Sequence, residues 1–285
     1  MNPSESLYKS QAGQQAVMAL YDRVLDAWPA PYEALRVATR FGETFVLANG
    51  DPSAPALVLL HGACSNALAW IGDIPAFSRQ FRTYAVDVIG EPGRSAAARL
   101  PWEGPGYADW LGDVLDGLEA GRALVVGISQ GGYMALKLAV HQGDRVAKLV
   151  LLAPGGIAQP RASFLLRAIP LSFAGRWGAE AINRITFGDQ PIAEEAVRFM
   201  NVIMTHFRPR IGAQPLFTDA ELSGLTMPVL LVAGARDALM PTEQIAIRLQ
   251  HLAPQTSVRI LPEAGHVLHN LAREIIPFLT SDTRS

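Results

Sequence analysis

Between Ala123 and Val140 an apolar segment, Ala123-Leu124-Val125-Val126, runs through Gly127-Ile128-Ser129-Gln130-Gly131 into a helical pattern from Tyr133 to Val140. The order is strand, sharp turn, helix, with a serine at the apex. A serine hydroxyl is a weak nucleophile until a base takes its proton and the backbone lifts it clear of its neighbours. A strained turn does the lifting, and its dihedral angles are open only where the flanking residues are very small. Gly127 and Gly131 are therefore sterically required if Ser129 is to react.

The apolar runs elsewhere have strand length and do not alternate: Ala56 to Leu60, Phe81 to Val88, Val146 to Leu152, Pro228 to Ala233 and Thr256 to Leu261. Strands that are apolar throughout are buried on both faces, as in a parallel sheet covered by helices. Helical patterns at 107–118, 242–252 and 267–279 supply the crossovers. Phe41 to Ala48 alternates loosely and reads as an edge strand, closed by the turn Asn49-Gly50-Asp51-Pro52. The expected fold class is α/β: a mostly parallel central sheet flanked by helices.

Two segments fall outside that rhythm. Residues 5–28 carry an N-terminal helix whose amphipathic pattern spans Leu7 to Trp28, with Val17, Leu20, Val24 and Leu25 on one face. It reads as a helix laid on the side of the domain, with a lid or a homodimer contact as the alternatives. Between Ala153 and Pro228 lie about seventy residues with helical patterns only, at 163–173, 179–187 and 192–207. A structureless loop of that length does not suit a compact domain. The expected organisation is a core of residues 1–154 and 227–285, with a helical insertion at 155–226. Phe164, Leu165, Phe173, Phe199, Met200, Met204 and Phe207 either pack this insertion on the core or line a pocket for an acyl or alcohol group.

Composition removes several function classes. No apolar segment is long enough to span a membrane. The N-terminus has no signal-peptide pattern, and the single cysteine, Cys64, allows no internal disulfide; both favour the cytoplasm. A net charge of −2 without a basic stripe argues against nucleic acid. No histidine-cysteine-acid cluster has metal-ligand spacing, so no metal is expected.

Ligands in open α/β sheets bind beyond the carboxyl ends of the strands. His61 to Ser65, Asp87 to Arg94, Ser129, Asp237 and His266 each follow such an end. Ser129 is the candidate nucleophile. His266, after the turn Glu263-Ala264-Gly265, is the candidate base and acid. Asp237 is the candidate that orients the imidazole. Asp219 and Glu221 are weaker acids because they precede their strand. Among the other histidines, His141, His206, His251 and His269 read as surface groups, His269 one helical turn beyond His266. Developing negative charge needs backbone N–H donors, expected from Gln130 and from Ala63 in the small-residue loop after His61-Gly62. His61 reads as a brace for that loop and Cys64 as a small buried hydrophobe. His61, Cys64 and Tyr133 are also candidate substrate-binding residues.

On these motifs the chain resembles α/β-hydrolase-fold serine hydrolases of the carboxylesterase type, from about Tyr32 to Leu279. His61-Gly62 is similar to their oxyanion loop, Gly127-Ile128-Ser129-Gln130-Gly131 to their nucleophile turn, Asp237 to their acid and Gly265-His266 to their histidine. Asp87-Val88-Ile89-Gly90-Glu91-Pro92-Gly93-Arg94-Ser95 and Ala19-Leu20-Tyr21-Asp22 resemble a bacterial carboxylesterase branch. More typical members carry Asp-x-x-Gly-x-Gly-x-Ser there, so the inserted Glu91-Pro92 is a departure that leaves the local loop geometry open. The resemblance implies a helical cap, no cofactor and ester hydrolysis. Carbon–carbon bond hydrolysis, lactone opening, perhydrolysis and a non-catalytic small-molecule binder remain alternatives, because one fold hosts many reactions.

Overall fold

The computed structural model describes residues 6–187, 193–210, 212 and 214–281. Eight strands form one sheet: β1 Glu33–Thr39, β2 Gly42–Asn49, β3 Ala56–Leu60, β4 Arg82–Val86, β5 Ala123–Ile128, β6 Val146–Leu152, β7 Val229–Gly234 and β8 Thr256–Leu261. Their spatial order is β1-β2-β4-β3-β5-β6-β7-β8. β1 and β2 pair antiparallel, as do β2 and β4, and the remaining pairs are parallel. The carboxyl ends of β3, β5, β7 and β8 therefore open on one edge.

The uniform apolarity of the central strands has a direct cause. Val58, Leu60 and Val125 face one buried cluster, which also holds Trp110, Tyr133 and Leu136. Leu57, Leu59, Leu124 and Val126 face a second, which holds Tyr21, Trp70 and Phe77. The first face is covered by α3 (Gly106–Gly117), α4 (Gln130–His141) and α9 (Thr242–Leu252), and the second by α1 (Gln11–Asp26), the short α2 (Ile74–Phe77) and α10 (Ala272–Thr280).

Three sequence expectations are corrected. Phe41 to Ala48 is not an edge strand, because β1 lies outside β2 and six consecutive residues of β2 are buried. β1 itself escapes notice because only Val37 of its seven residues is buried. The last helix begins at Ala272 rather than Val267, where Asp73 Oδ1 accepts the Ala272 N–H at 2.8 Å and caps it. His269 consequently lies in the preceding loop and not on the helix.

α1 starts at Gln11 because the Ser10 side chain accepts the Gly13 N–H at 3.0 Å. Its buried face is Gly13, Val17, Tyr21 and Leu25, with Leu20 and Val24 at the margin. Just before it, Tyr8 forms an antiparallel bridge with Phe207. Between β6 and β7 lie α5 (Ala162–Ser172), α6 (Gly175–Phe187), α7 (Glu194–His206) and the one-turn α8 (Asp219–Ser223). Phe199, Ile203 and Phe207 join the second buried cluster and pack this region on the core. Phe173 is 86 % exposed and points away from it. Ile192 and the Leu165 side chain lie outside the described residues.

Candidate active site

Ser129 sits at the turn between β5 and α4 with φ 50° and ψ −108°. That is the left-handed side of the map, costly for a residue with a Cβ by about 1–3 kcal/mol. The surroundings enforce it. A methyl at position 127 would meet the Gly131 carbonyl, and one at 131 would meet the Leu60 and His61 carbonyls. The Ser129 N–H also donates to the Leu152 carbonyl at 2.8 Å, and its own carbonyl accepts from Gly155 at 3.2 Å. Only with glycine at both flanks do the end of β3 and the first turn of α4 approach this closely.

The three separated side chains meet. Ser129 Oγ lies 3.0 Å from His266 Nε2, and His266 Nδ1 lies 2.8 Å from Asp237 Oδ2. The second Asp237 oxygen accepts the N–H groups of Leu239 (2.8 Å) and Met240 (2.7 Å), which fixes the carboxylate plane. Asp237 and His266 are 4 % and 5 % exposed, so their contact is shielded from solvent. With Nδ1 protonated toward Asp237, Nε2 is free to accept the serine proton. The His266 N–H donates to Thr186 O at 3.1 Å, which ties the histidine loop to the last turn of α6. Asp219 instead pairs with Arg248 at 2.7 Å, and Glu221 closes a capping box with Thr218.

The loop after β3 lies beside the serine: a Cβ built on Gly62 would stand 3.6 Å from Ser129 Cβ. Among the described residues, the N–H groups of Ala63 and Gln130 have no acceptor within the protein. Gln130 opens α4, where backbone N–H groups point outward unpaired.

Two candidate substrate contacts, His61 and Tyr133, are corrected. His61 is fully buried; Nε2 accepts the Val88 N–H at 2.9 Å and Nδ1 donates to Gly62 O at 2.8 Å. Burial pushes its pKa down to about 4, so it braces the loop as a neutral ring and does not face a substrate. Tyr133 is 1 % exposed and its hydroxyl donates to Trp102 O at 3.2 Å, on the core side of α4. Cys64 is half-buried against the second apolar cluster at φ 54°, and burial pushes its thiol far up, which disfavours a thiolate. Asp87 is fully buried and structural, accepting from Ala67 N (2.7 Å), Arg94 N (2.7 Å) and Tyr21 Oη (3.2 Å). Among the described residues, no three His, Cys, Asp or Glu side chains gather as a metal ligand set.

The sequence pattern of the alpha/beta hydrolase family matches residues 57–276. The chain belongs to that family. Carboxylesterase YbfK of Bacillus subtilis is 32 % identical over 258 residues, covering 87 % of this chain and 86 % of that one. The crystal structure of the Bacillus subtilis carboxylesterase CesB (YbfK) superposes with a TM-score of 0.84 at 29 % identity, covering 94 % of this chain and 99 % of the other. The naproxen esterase of the same organism gives 0.86 at 28 % identity, with 95 % and 100 % covered. These relatives share the fold over nearly the whole chain. Among the described residues no helix is long and apolar enough to cross a membrane.

Proposed function

We propose that this alpha/beta hydrolase cleaves carboxylic esters through an acyl-enzyme intermediate on Ser129. The observation that carries the reading is the continuous contact from Ser129 Oγ through the His266 ring to Asp237, at 3.0 and 2.8 Å. Similarity to Bacillus carboxylesterases over most of the chain supports the ester as substrate class.

His266 Nε2 takes the Ser129 proton as Oγ attacks the ester carbonyl. The carbonyl π pair moves onto oxygen, and the Ala63 and Gln130 N–H groups stabilise that charge. Asp237 holds the imidazole in the right tautomer and stabilises the imidazolium. When the carbonyl re-forms, the C–O bond to the alcohol breaks and His266 returns its proton to the departing oxygen. Water then enters, loses a proton to Nε2, attacks the acyl carbon and releases the acid, and Ser129 recovers its proton. No metal or cofactor takes part in these steps. Helices α5 to α7 serve as a cap over the site, a role supported by the link from Thr186 O to the His266 loop. We also infer a cytoplasmic location, which a single cysteine without an internal disulfide partner fits.

The test is hydrolysis of short p-nitrophenyl esters by Ser129→Ala. We expect turnover to fall by roughly 10⁴-fold or more with the fold intact. A fluorophosphonate should label the wild type at Ser129 and leave the variant unmarked. Wild-type rates from the variant would end the assignment.

A further inference from the structure

Glu91, in the Gly90-Glu91-Pro92-Gly93 turn after β4, is 4 % exposed. Burial of a carboxylate at that depth is costly unless its oxygens are well satisfied. Oε1 accepts from Gln130 Nε2 at 2.8 Å, and Oε2 accepts from the Cys64 backbone N–H at 2.7 Å. Those partners belong to different elements. Gln130 opens α4 directly after the nucleophile, and Cys64 follows Ala63 in the loop after β3. They are 39 and 27 residues from Glu91 in sequence.

Cys64 occupies a left-handed backbone conformation, φ 54°. Such a conformation is unfavourable for a non-glycine residue and persists only where a partner holds it. The Glu91 carboxyl supplies the hold, and the peptide it fixes is the one joining Ala63 to Cys64. The turn bearing Glu91 is itself anchored: Gly93 N donates to Glu91 O at 2.8 Å, and Asn66 Nδ2 donates to Pro92 O at 3.0 Å.

We propose that Glu91 is a positioning residue for the oxyanion hole, one carboxylate setting the spacing between the Ala63 and Gln130 N–H donors. The inference rests on the ester-cleaving reading of Ser129 and names a group that this reading leaves without a role. Catalytic donors must sit within a few tenths of an ångström of the developing oxyanion, so a clamp bridging their two loops acts on the transition state more than on the bound ester. Burial pushes the Glu91 carboxyl up to about 7. The Gln130 and Cys64 hydrogen bonds, with Arg99 and Arg210, pull the other way. The hydroxyls of Tyr8 and Tyr107 also lie within its field.

The geometry makes a specific demand. Both partners donate to the carboxyl group, and its two oxygens are what join them. Glu91→Leu removes both acceptors and leaves Gln130 Nε2 and the Cys64 N–H unpartnered, whereas Glu91→Gln still accepts from Cys64 and, with the Gln130 amide turned over, donates to Gln130 Oε1. We expect kcat on a p-nitrophenyl ester to fall about 10–100-fold in E91L with KM changed less than about threefold; displacing donors should cost less than the ~10²–10³ of deleting one. Affinity for a trifluoromethyl ketone, which places an oxyanion in the same donors, should fall in parallel. E91Q, which keeps both contacts, should retain most of the wild-type kcat. Should E91L fail to fold, Gln130→Met removes the side-chain half of the clamp alone and should show the same split between kcat and KM, at smaller size. Wild-type kcat in E91L, a loss that falls on KM, or an E91Q as impaired as E91L overturns the proposal. If Ser129→Ala also stays active, the ester-cleaving reading itself has failed, which a healthy E91L beside an inactive Ser129→Ala does not imply.

Discussion

At the elbow after β5, backbone lies on backbone: the first turn of α4 leaves no room for a methyl at 127, and the end of β3 leaves none at 131. The hairpin of α5 and α6 is the opposite case. Leu166, Ile169, Phe173 and Trp177 are 74, 59, 86 and 66 % exposed there, and α7 carries the contacts that seat the region on the core. A reacting serine needs one fixed geometry, and close-packed interiors provide it because they do not deform gradually. A solvent-facing surface tolerates many side chains, since little of their area is removed from water on folding. The same chain thus holds a part that one carbon atom can break and a part that several large substitutions should leave folded.

Substituting the tight region should have the largest effect. Gly131→Ala drives a methyl into the Leu60 and His61 carbonyls. We expect a destabilisation of about 2–4 kcal/mol or a displaced elbow, with esterase turnover down at least ~100-fold. Chemical denaturation and kcat on the same preparation decide it; an unaltered kcat would show that the elbow can absorb a methyl without moving the serine.

A middle-sized effect lies in pH. Glu91 has its folded pKa raised to about 7 against 4.5 for the free group. The unfolded chain releases this proton first, so the contribution to stability is fully present below about 4.5, falls as pH rises through 7, and is flat above. The swing is up to about 3 kcal/mol. Asp73, raised to about 6, and Asp87 act with the same sign. Urea unfolding at pH 5 and pH 8 should therefore show a smaller drop for Glu91→Gln than for the wild type, though not a zero one. An equal drop in both proteins would mean that Glu91 titrates normally.

The smallest effect belongs to the hairpin. Phe173→Ser combined with Trp177→Ser should change unfolding free energy by less than about 0.5 kcal/mol, because neither ring is buried. Its kcat on a short ester should stay within about twofold. A loss of several kcal/mol would show that the hairpin packs more tightly than its exposure indicates.

Much of the site could be read from the chain because each part carries a local signature. Ser129 is marked by its glycines, His266 and Asp237 by their position just beyond apolar strands, and Ala63 by the small residues around it. Tyr133 misleads because closeness to Ser129 in sequence does not fix where its ring goes: the hydroxyl donates to Trp102 O on the core side of α4. His61 looks like a site residue by position, yet its ring is consumed by Val88 and Gly62. Glu91 is marked only as part of the Glu91-Pro92 departure from the usual motif, and nothing local tells which groups its carboxylate meets.

Local order along the chain was enough to set the parallel core, the strained serine turn and the sequence in which acid and histidine follow it. Those features come from steric limits and apolar periodicity acting over a few residues. Only folding decided that β1 completes the sheet's edge, that Asp73 delays the last helix, and that one buried carboxylate joins the loops after β3 and β5. Such contacts depend on strand order, which brings together groups tens of residues apart, and no short stretch of sequence contains that distance.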